Sequence, residues 1–86
     1  MQKIKFTKQF KRDYRREQSG AYGKKLKAML DEFLDFVESN TPFPRRYFDH
    51  PLTGQWKDYR DCHLRPDLVL IYRVLDDGWI ELVRLG

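Results

Sequence analysis

The hydrophobic period of this chain changes once, and that change bounds the fold more tightly than any single residue. Leu26, Met29, Leu30, Phe33, Leu34 and Val37 recur at steps of three and four, so they line one face of a helix. From Trp56 the period drops to two. Trp56, Asp58, Arg60, Cys62 and Leu64 fall on one side of an extended chain, and Lys57, Tyr59, Asp61 and His63 on the other. A one-faced helix followed by strands buries its stripe on a sheet, which is the layered arrangement of an α+β domain. With 86 residues there is material for one such domain, 1–86, and for one site.

The remaining elements come from local signals. Residues 3–6 alternate polar and apolar, as a short first strand does. Thr7 is placed to cap a helix that runs to about Gln18 with a narrow stripe of Phe10 and Tyr14, and Ser19, Gly20 and Gly23 punctuate the connection to the second helix. Asn40, Pro42 and Pro44 end that second helix and open an irregular connection that reaches Gly54, in which Pro51 denies the chain a regular ladder. The strand from Trp56 returns through Arg65-Pro66 into residues 67–75, whose LVLIY run reads as a strand covered on both faces. After the turn at Asp76, Asp77 and Gly78, residues 79–85 make the last strand. The predicted order is β-α-α-β-β-β, a small, mostly antiparallel sheet with two N-terminal helices on one face. Trp56, Trp79 and the LVLIY run are expected in the core.

Charge is unevenly distributed. Residues 1–27 hold ten Lys or Arg against Asp13 and Glu17, a net +8, so the remainder carries −4 of the overall +4. Lys8, Lys11, Arg12, Arg15, Arg16, Lys24, Lys25 and Lys27 suit a surface that follows phosphates in a salt-dependent way. They equally suit a solvated helix face. A single cysteine, Cys62, excludes an intrachain disulfide and a multi-cysteine zinc site and favours a reducing compartment. No apolar run approaches the ~20 residues of a membrane span, and no secretory apolar stretch follows the N-terminus. The expectation is a soluble, cytoplasmic protein with no membrane partner.

Three residues could carry chemistry. If the Arg65-Pro66 turn is tight, His63 and Asp67 lie near each other across a hairpin, and with His50 they could share a pocket. An imidazole, which ordinarily titrates near ~6.5, can take a proton from a ribose 2′-hydroxyl or give one to a leaving 5′-oxygen, and a carboxylate beside it can orient the ring. The same residues could equally be structural. Cys62 and His63 are not a nucleophile–base pair, because successive strand residues face opposite ways. The sequence holds no spacing that specifies a metal and no Gly-rich phosphate loop, so neither metal nor cofactor is expected.

Residues 49–72 then resemble a known family. The D-H-P-L-x-G-x-W-K-x-Y-R-D-x-H segment from Asp49 to His63, the Pro66-Asp67 turn, the L-I-Y strand and the R-x-G at Arg84, Leu85 and Gly86 are similar to the YafQ-like branch of the RelE/ParE superfamily of bacterial toxins. The resemblance implies the toxin of a type II toxin–antitoxin pair, a metal-independent, ribosome-dependent endoribonuclease that cuts mRNA in the A site by attack of a 2′-hydroxyl on the adjacent phosphate. It places His50, His63 and Asp67 at catalytic positions, and Arg84 is assigned to stabilise the phosphorane by inference from the charge that develops there. The basic residues of the first third, with Lys57, would meet RNA. The 70S ribosome, mRNA and a DinJ-like, DNA-binding and autoregulatory antitoxin are the implied partners in a bacterial cytoplasm. The alternative is a catalytically inactive or truncated toxin fold that works by binding, as an antitoxin-binding module or a ParE-like gyrase inhibitor. Two departures accompany the resemblance: Leu68 stands where relatives often carry Trp, and the R-x-G is followed in relatives by a Ser or Thr, a catalytic His and a Leu-Phe tail. Weak or absent cleavage by the 86-residue form is therefore expected.

Overall fold

The structure, a computed structural model, describes residues 3–39 and 42–86. Its elements are β1 (Ile4–Phe6), α1 (Lys8–Gln18), α2 (Leu26–Glu38), β2 (His50–Pro51), β3 (Arg60–Arg65), β4 (Leu68–Val74) and β5 (Ile80–Leu85), with single 3₁₀ turns at Gly23–Lys25, Arg45–Tyr47 and Gly54–Trp56. The strands form one sheet in the order β1-β5-β4-β3-β2, antiparallel throughout except for the parallel β1–β5 pair. Both helices lie on one face. Phe10 of α1 and Leu26, Met29, Leu30 and Phe33 of α2 meet Leu64, Leu70, Tyr72, Ile80, Leu82 and Leu85 of the sheet in one buried cluster. Each such aliphatic or Phe side chain contributes about 1.5 to 3 kcal/mol relative to its exposed state. The α+β reading and the two-helix layer are as the periodicity predicts.

Thr7 caps α1 as expected, its Oγ1 accepting the Phe10 N–H at 3.0 Å, and it also donates to the Val83 carbonyl at 2.7 Å. That second bond belongs to a larger arrangement. β1 pairs with β5 only as far as Leu82, which leaves the end of β5 without a strand neighbour on that side. Side chains of α1 take over: the Asp13 carboxylate accepts the Leu85 N–H at 3.0 Å and Arg16 donates to the Leu85 carbonyl at 2.9 Å. The open strand edge is thereby satisfied by a helix, and its backbone groups are not left for another chain to pair with. The turn from α1 to α2 is equally close, for a Cβ at Gly23 would fall 2.0 Å from the Gln18 carbonyl oxygen.

Four features differ from the sequence reading. His50 and Pro51 form a short fifth strand paired with Asp61 and Arg60 where an irregular connection is expected. Proline is compatible with an outermost strand, since its missing N–H can face away from the sheet. Trp56 is not core: it ends a 3₁₀ turn, is 41% exposed and packs edge-on against Tyr59 at 5.0 Å, so the strand starts at Arg60, four residues later than the alternation implies. Trp79 is half-buried, outside the core, with the Lys3 and Lys5 ammonium groups over its ring at 5.5 and 5.0 Å. The LVLIY strand is covered by helices on one face only. Leu68, Leu70 and Tyr72 are buried, while Val69 and Ile71 are half-buried on the other face. Asn40, expected to end α2, lies outside the described residues; Glu38 closes that helix and the Ser39 N–H bonds the Asp35 carbonyl at 2.9 Å.

Candidate active site

The face of the sheet away from the helices carries the polar residues. Alternation along β3 sends Cys62 and Leu64 into the core, so Asp61 and His63 project from the opposite side. The register aligns His50 of β2 with Asp61, Asp61 with Ile71 of β4, and Ile71 with Arg84 of β5. His50, Asp61 and Arg84 thus stand in one row across four strands. Neighbouring strands are ~4.8 Å apart, so the Arg84 backbone is about 10 Å from that of Asp61.

Asp61 is the centre of the arrangement. His63 Nε2 lies 3.3 Å from its Oδ1 and His50 Nε2 lies 4.0 Å from its Oδ2, with side-chain exposures of 26% for His63, 38% for His50 and 20% for Asp61. The His63 ring is within ion-pair distance but not turned to donate, and Asp61 Oδ1 remains a buried oxygen with no hydrogen-bond partner. A carboxylate in that condition favours a proton on the nitrogen facing it, because a lone pair there would meet a negative oxygen. The tautomer of His50 is set from its other side. Its Nδ1 is 2.7 Å from the Phe48 carbonyl oxygen, which can only accept, so Nδ1 carries the hydrogen; in the neutral ring the Nε2 lone pair is then left facing the site, 4.0 Å from the Asp61 carboxylate and beyond hydrogen-bond reach of it.

The loop that presents His50 is pinned twice. The Asp49 carboxylate accepts from Arg60 Nη2 at 2.9 Å and from the Tyr72 hydroxyl at 2.8 Å. Burial, and then that bond, push the Tyr72 hydroxyl well above its ordinary value, while the Asp49 bond raises Arg60 further. Upstream, the Tyr47 hydroxyl and Arg46 both donate to Glu32 of α2; burial first, and then Glu32, push the Tyr47 hydroxyl up to about 12. The sequence motif therefore splits in two, with Asp49, Arg60 and Tyr72 holding the scaffold and His50, Asp61 and His63 forming the reactive cluster. Asp61 is not among the residues the sequence singles out, although its alternation with His63 is the signal that marks it. Phe48 is absent from them too, and nothing in the pattern points to it.

The other expected residues lie elsewhere on this framework. The cross-strand neighbour of His63 is Val69, not Asp67. Asp67 sits exposed in the two-residue turn and accepts the Tyr22 hydroxyl at 2.6 Å, which raises that hydroxyl's pKa. Arg84 donates from Nε to Asp13 at 2.7 Å, with its side chain 51% exposed, and Arg16 bonds the same carboxylate at 3.0 Å. Burial pushes Asp13 up, but the bonds from Arg84, the Leu85 N–H and Arg16 outweigh it and hold the carboxyl below its usual value. Lys8, Lys11, Arg12, Arg15, Lys24, Lys25 and Lys57 are exposed, and among the described residues none has a carboxylate partner within 4.0 Å. Lys27 pairs with Asp31 at 2.9 Å, and Arg16 is committed to Asp13, Glu17 and the Leu85 carbonyl. Burial pushes the Cys62 thiol up to about 12, which leaves it inert beside His63. Among the described residues no group of three or more His, Cys, Asp or Glu side chains is arranged to hold a metal ion, and no helix is long and apolar enough to cross a membrane. An apolar groove of about 430 Å³, lined by Phe6, Phe10, Tyr14, Leu30 and Leu34 with Lys11, Arg15 and Lys27 at its rim, runs between the helices, apart from the imidazoles.

Comparison with known proteins points to one family. Residues 2–86 match the family described as the bacterial toxin of type II toxin–antitoxin system, YafQ. A putative toxin YafQ from Haemophilus influenzae is 40% identical over 85 residues, 93% of this chain and 79% of that protein. The mRNA interferase toxin YafQ of Escherichia coli K12 is 39% identical over 70 residues, covering 70% and 76% of the two chains. The fold matches a chain of the E. coli DinJ–YafQ complex with a TM-score of 0.76 at 32% identity, over 100% of this chain and 92% of the other.

Proposed function

Because this chain belongs to the YafQ family of bacterial type II toxin–antitoxin toxins, we propose that it is an mRNA interferase that cleaves messenger RNA in the ribosomal A site and thereby stops translation. The observation that carries this reading is the pair of half-exposed imidazoles on either side of the under-satisfied Asp61 carboxylate, on a sheet face left open by both helices.

The chemistry needs a base, an acid and a cation. His50, with its Nε2 lone pair free, takes the 2′-hydroxyl proton as the oxygen attacks the adjacent phosphorus. His63 acts as the imidazolium paired with Asp61 and gives its Nε2 proton to the departing 5′-oxygen, returning to the neutral ring. The products are a cyclic phosphate and a 5′-hydroxyl. Asp61 stabilises the imidazolium that forms at either ring, as a carboxylate within ~4 to 6 Å of a cation does. Arg84, held in place by Asp13, offers its remaining N–H groups to the phosphoryl oxygens, where charge accumulates in the transition state. Asp67, one turn away and bonded to Tyr22, orients RNA or the tip of the hairpin.

The unpaired cations of α1 and of the 3₁₀ turn, together with Lys57, dock on ribosomal RNA and messenger phosphates. A DinJ-like antitoxin is the protein partner, as in the E. coli complex. The apolar groove between α1 and α2, with Lys11, Arg15 and the Lys27–Asp31 pair at its rim, is its seat in this reading. The reading is tested by primer extension on mRNA bound to 70S ribosomes, with protein in excess and incubation long enough to resolve slow cleavage. His63→Ala should lower cleavage by about 10² to 10⁴-fold, the usual loss of one general acid or base, with an unchanged cooperative melt. DNA-damage signalling ahead of any fall in translation, with intact mRNA, would instead place the chain among gyrase-directed toxins.

A further inference from the structure

Phe48 stands out against everything around it. It is 66% exposed, the highest among the large exposed hydrophobic side chains of the described residues, and its backbone adopts the left-handed conformation at φ 46°. That conformation closes the Arg45–Tyr47 turn, where glycine or asparagine ordinarily stands. A side chain with a Cβ is strained there, because the Cβ crowds the following carbonyl oxygen. Neither burial nor a polar bond of the side chain compensates for it. What the strain does is hold the ring over the reactive cluster: its centroid lies 4.8 Å from that of His50 and 5.8 Å from that of His63. The same residue's carbonyl fixes the His50 tautomer. Strain retained beside reactive groups points to a function for the side chain.

We propose that Phe48 is the floor of a nucleobase-stacking subsite, which takes the base of a nucleotide flanking the cleaved bond and so sets its ribose against the two imidazoles. The ring is tilted 51° from that of His50 and stands edge-on to that of His63, and two thirds of the residue is open to solvent. An exposed aromatic face accepts any base, since every base has a π surface. A base resting there stands one ribose away from the rings that move protons, which makes the stack a positioning device rather than a sequence reader. Phe48 is thus a positioning residue, with a free-energy share expressed in both binding and rate.

This inference rests on the nuclease reading, and the experiment separates the two. The variants are Phe48→Gly, which relieves the left-handed backbone and removes the ring, and Phe48→Trp, which keeps a larger face. The probes are 70S ribosomes programmed with mRNA bearing a 2′-deoxy nucleotide at the cleavage position, for affinity, and unmodified mRNA, for rate. Each A-site nucleotide is replaced in turn by an abasic one. Phe48→Gly should melt within a few degrees of wild type and bind about 5- to 100-fold more weakly, the range of one lost base stack, with Phe48→Trp restoring affinity. One abasic position should weaken wild type by a similar factor and leave Phe48→Gly unaffected. Equal binding and cleavage by Phe48→Gly and wild type, or equal abasic penalties in both, would overturn the subsite alone. So would a loss confined to antitoxin affinity, which would assign Phe48 to a protein contact. Wild-type protein that neither binds nor cleaves any of these mRNAs would overturn the nuclease reading and the subsite with it.

Discussion

Asp13 and Asp61 are both carboxylates drawn out of water at the sheet, and their surroundings are opposites. Asp13 is 2% exposed and receives Arg84, Arg16 and the Leu85 N–H, so both of its oxygens are occupied. Asp61 has one buried oxygen with no donor and two imidazoles at 3.3 and 4.0 Å. A saturated carboxylate fixes structure, because every group around it would lose a partner if it left. An under-satisfied one stores a demand for positive charge, which a proton moving between histidine and substrate can meet. Stability and chemistry are thus assigned to separate carboxylates.

Asp49 extends the saturated side of the comparison and should show the largest stability effect. Asp49→Ala leaves the buried Tyr72 hydroxyl and the Arg60 guanidinium without their acceptor. Urea denaturation should report a loss of about 3 kcal/mol, and a loss below about 0.5 kcal/mol would remove Asp49 from the scaffold. Asp13→Asn comes next, at about 2 kcal/mol, with a pH signature. The folded-state pKa of Asp13 is lowered, so its stabilising contribution is fully present above the ordinary carboxylate value of ~3.9 and fades as pH falls toward the folded value. Melts between pH 6 and 3 should therefore converge for wild type and Asp13→Asn at the acid end. Parallel curves would show that the charge of Asp13 contributes nothing. Tyr22→Phe has the smallest effect, about 0.5 kcal/mol, because the Tyr22–Asp67 bond is exposed. If cleavage falls tenfold or more in that variant, Asp67 belongs with the reactive groups despite its place in the turn.

The extent to which the sequence anticipates these regions depends on range. The α2 stripe, the Thr7 cap and the two faces of β3 depend on neighbours within a few residues, so periodicity reaches them, and the alternation that puts Asp61 beside His63 is visible in the chain. The Asp13–Arg84 pair joins residues 71 positions apart and depends on β1 ending at Phe6, which no local pattern states. β2 is hidden by Pro51, whose penalty disappears on an outermost strand. Trp56 follows the two-residue alternation yet belongs to a 3₁₀ turn, because Gly54 at φ 66° lets the chain fold back before the strand begins. Phe48 is hidden for a related reason: a left-handed backbone beneath a bulky aromatic runs against propensity, and the loop holding it takes its shape from Asp49 and Glu32 contacts made in three dimensions.

The decisive measurement is cleavage of ribosome-bound mRNA by Asp61→Asn, with the thermal midpoint read on the same sample. The amide keeps the shape and removes the charge that faces both rings. Cleavage reduced about 100-fold or more with a midpoint within about 2 °C of wild type is the predicted result. Cleavage within twofold of wild type would contradict the assignment of His50, Asp61 and His63 as the reactive cluster.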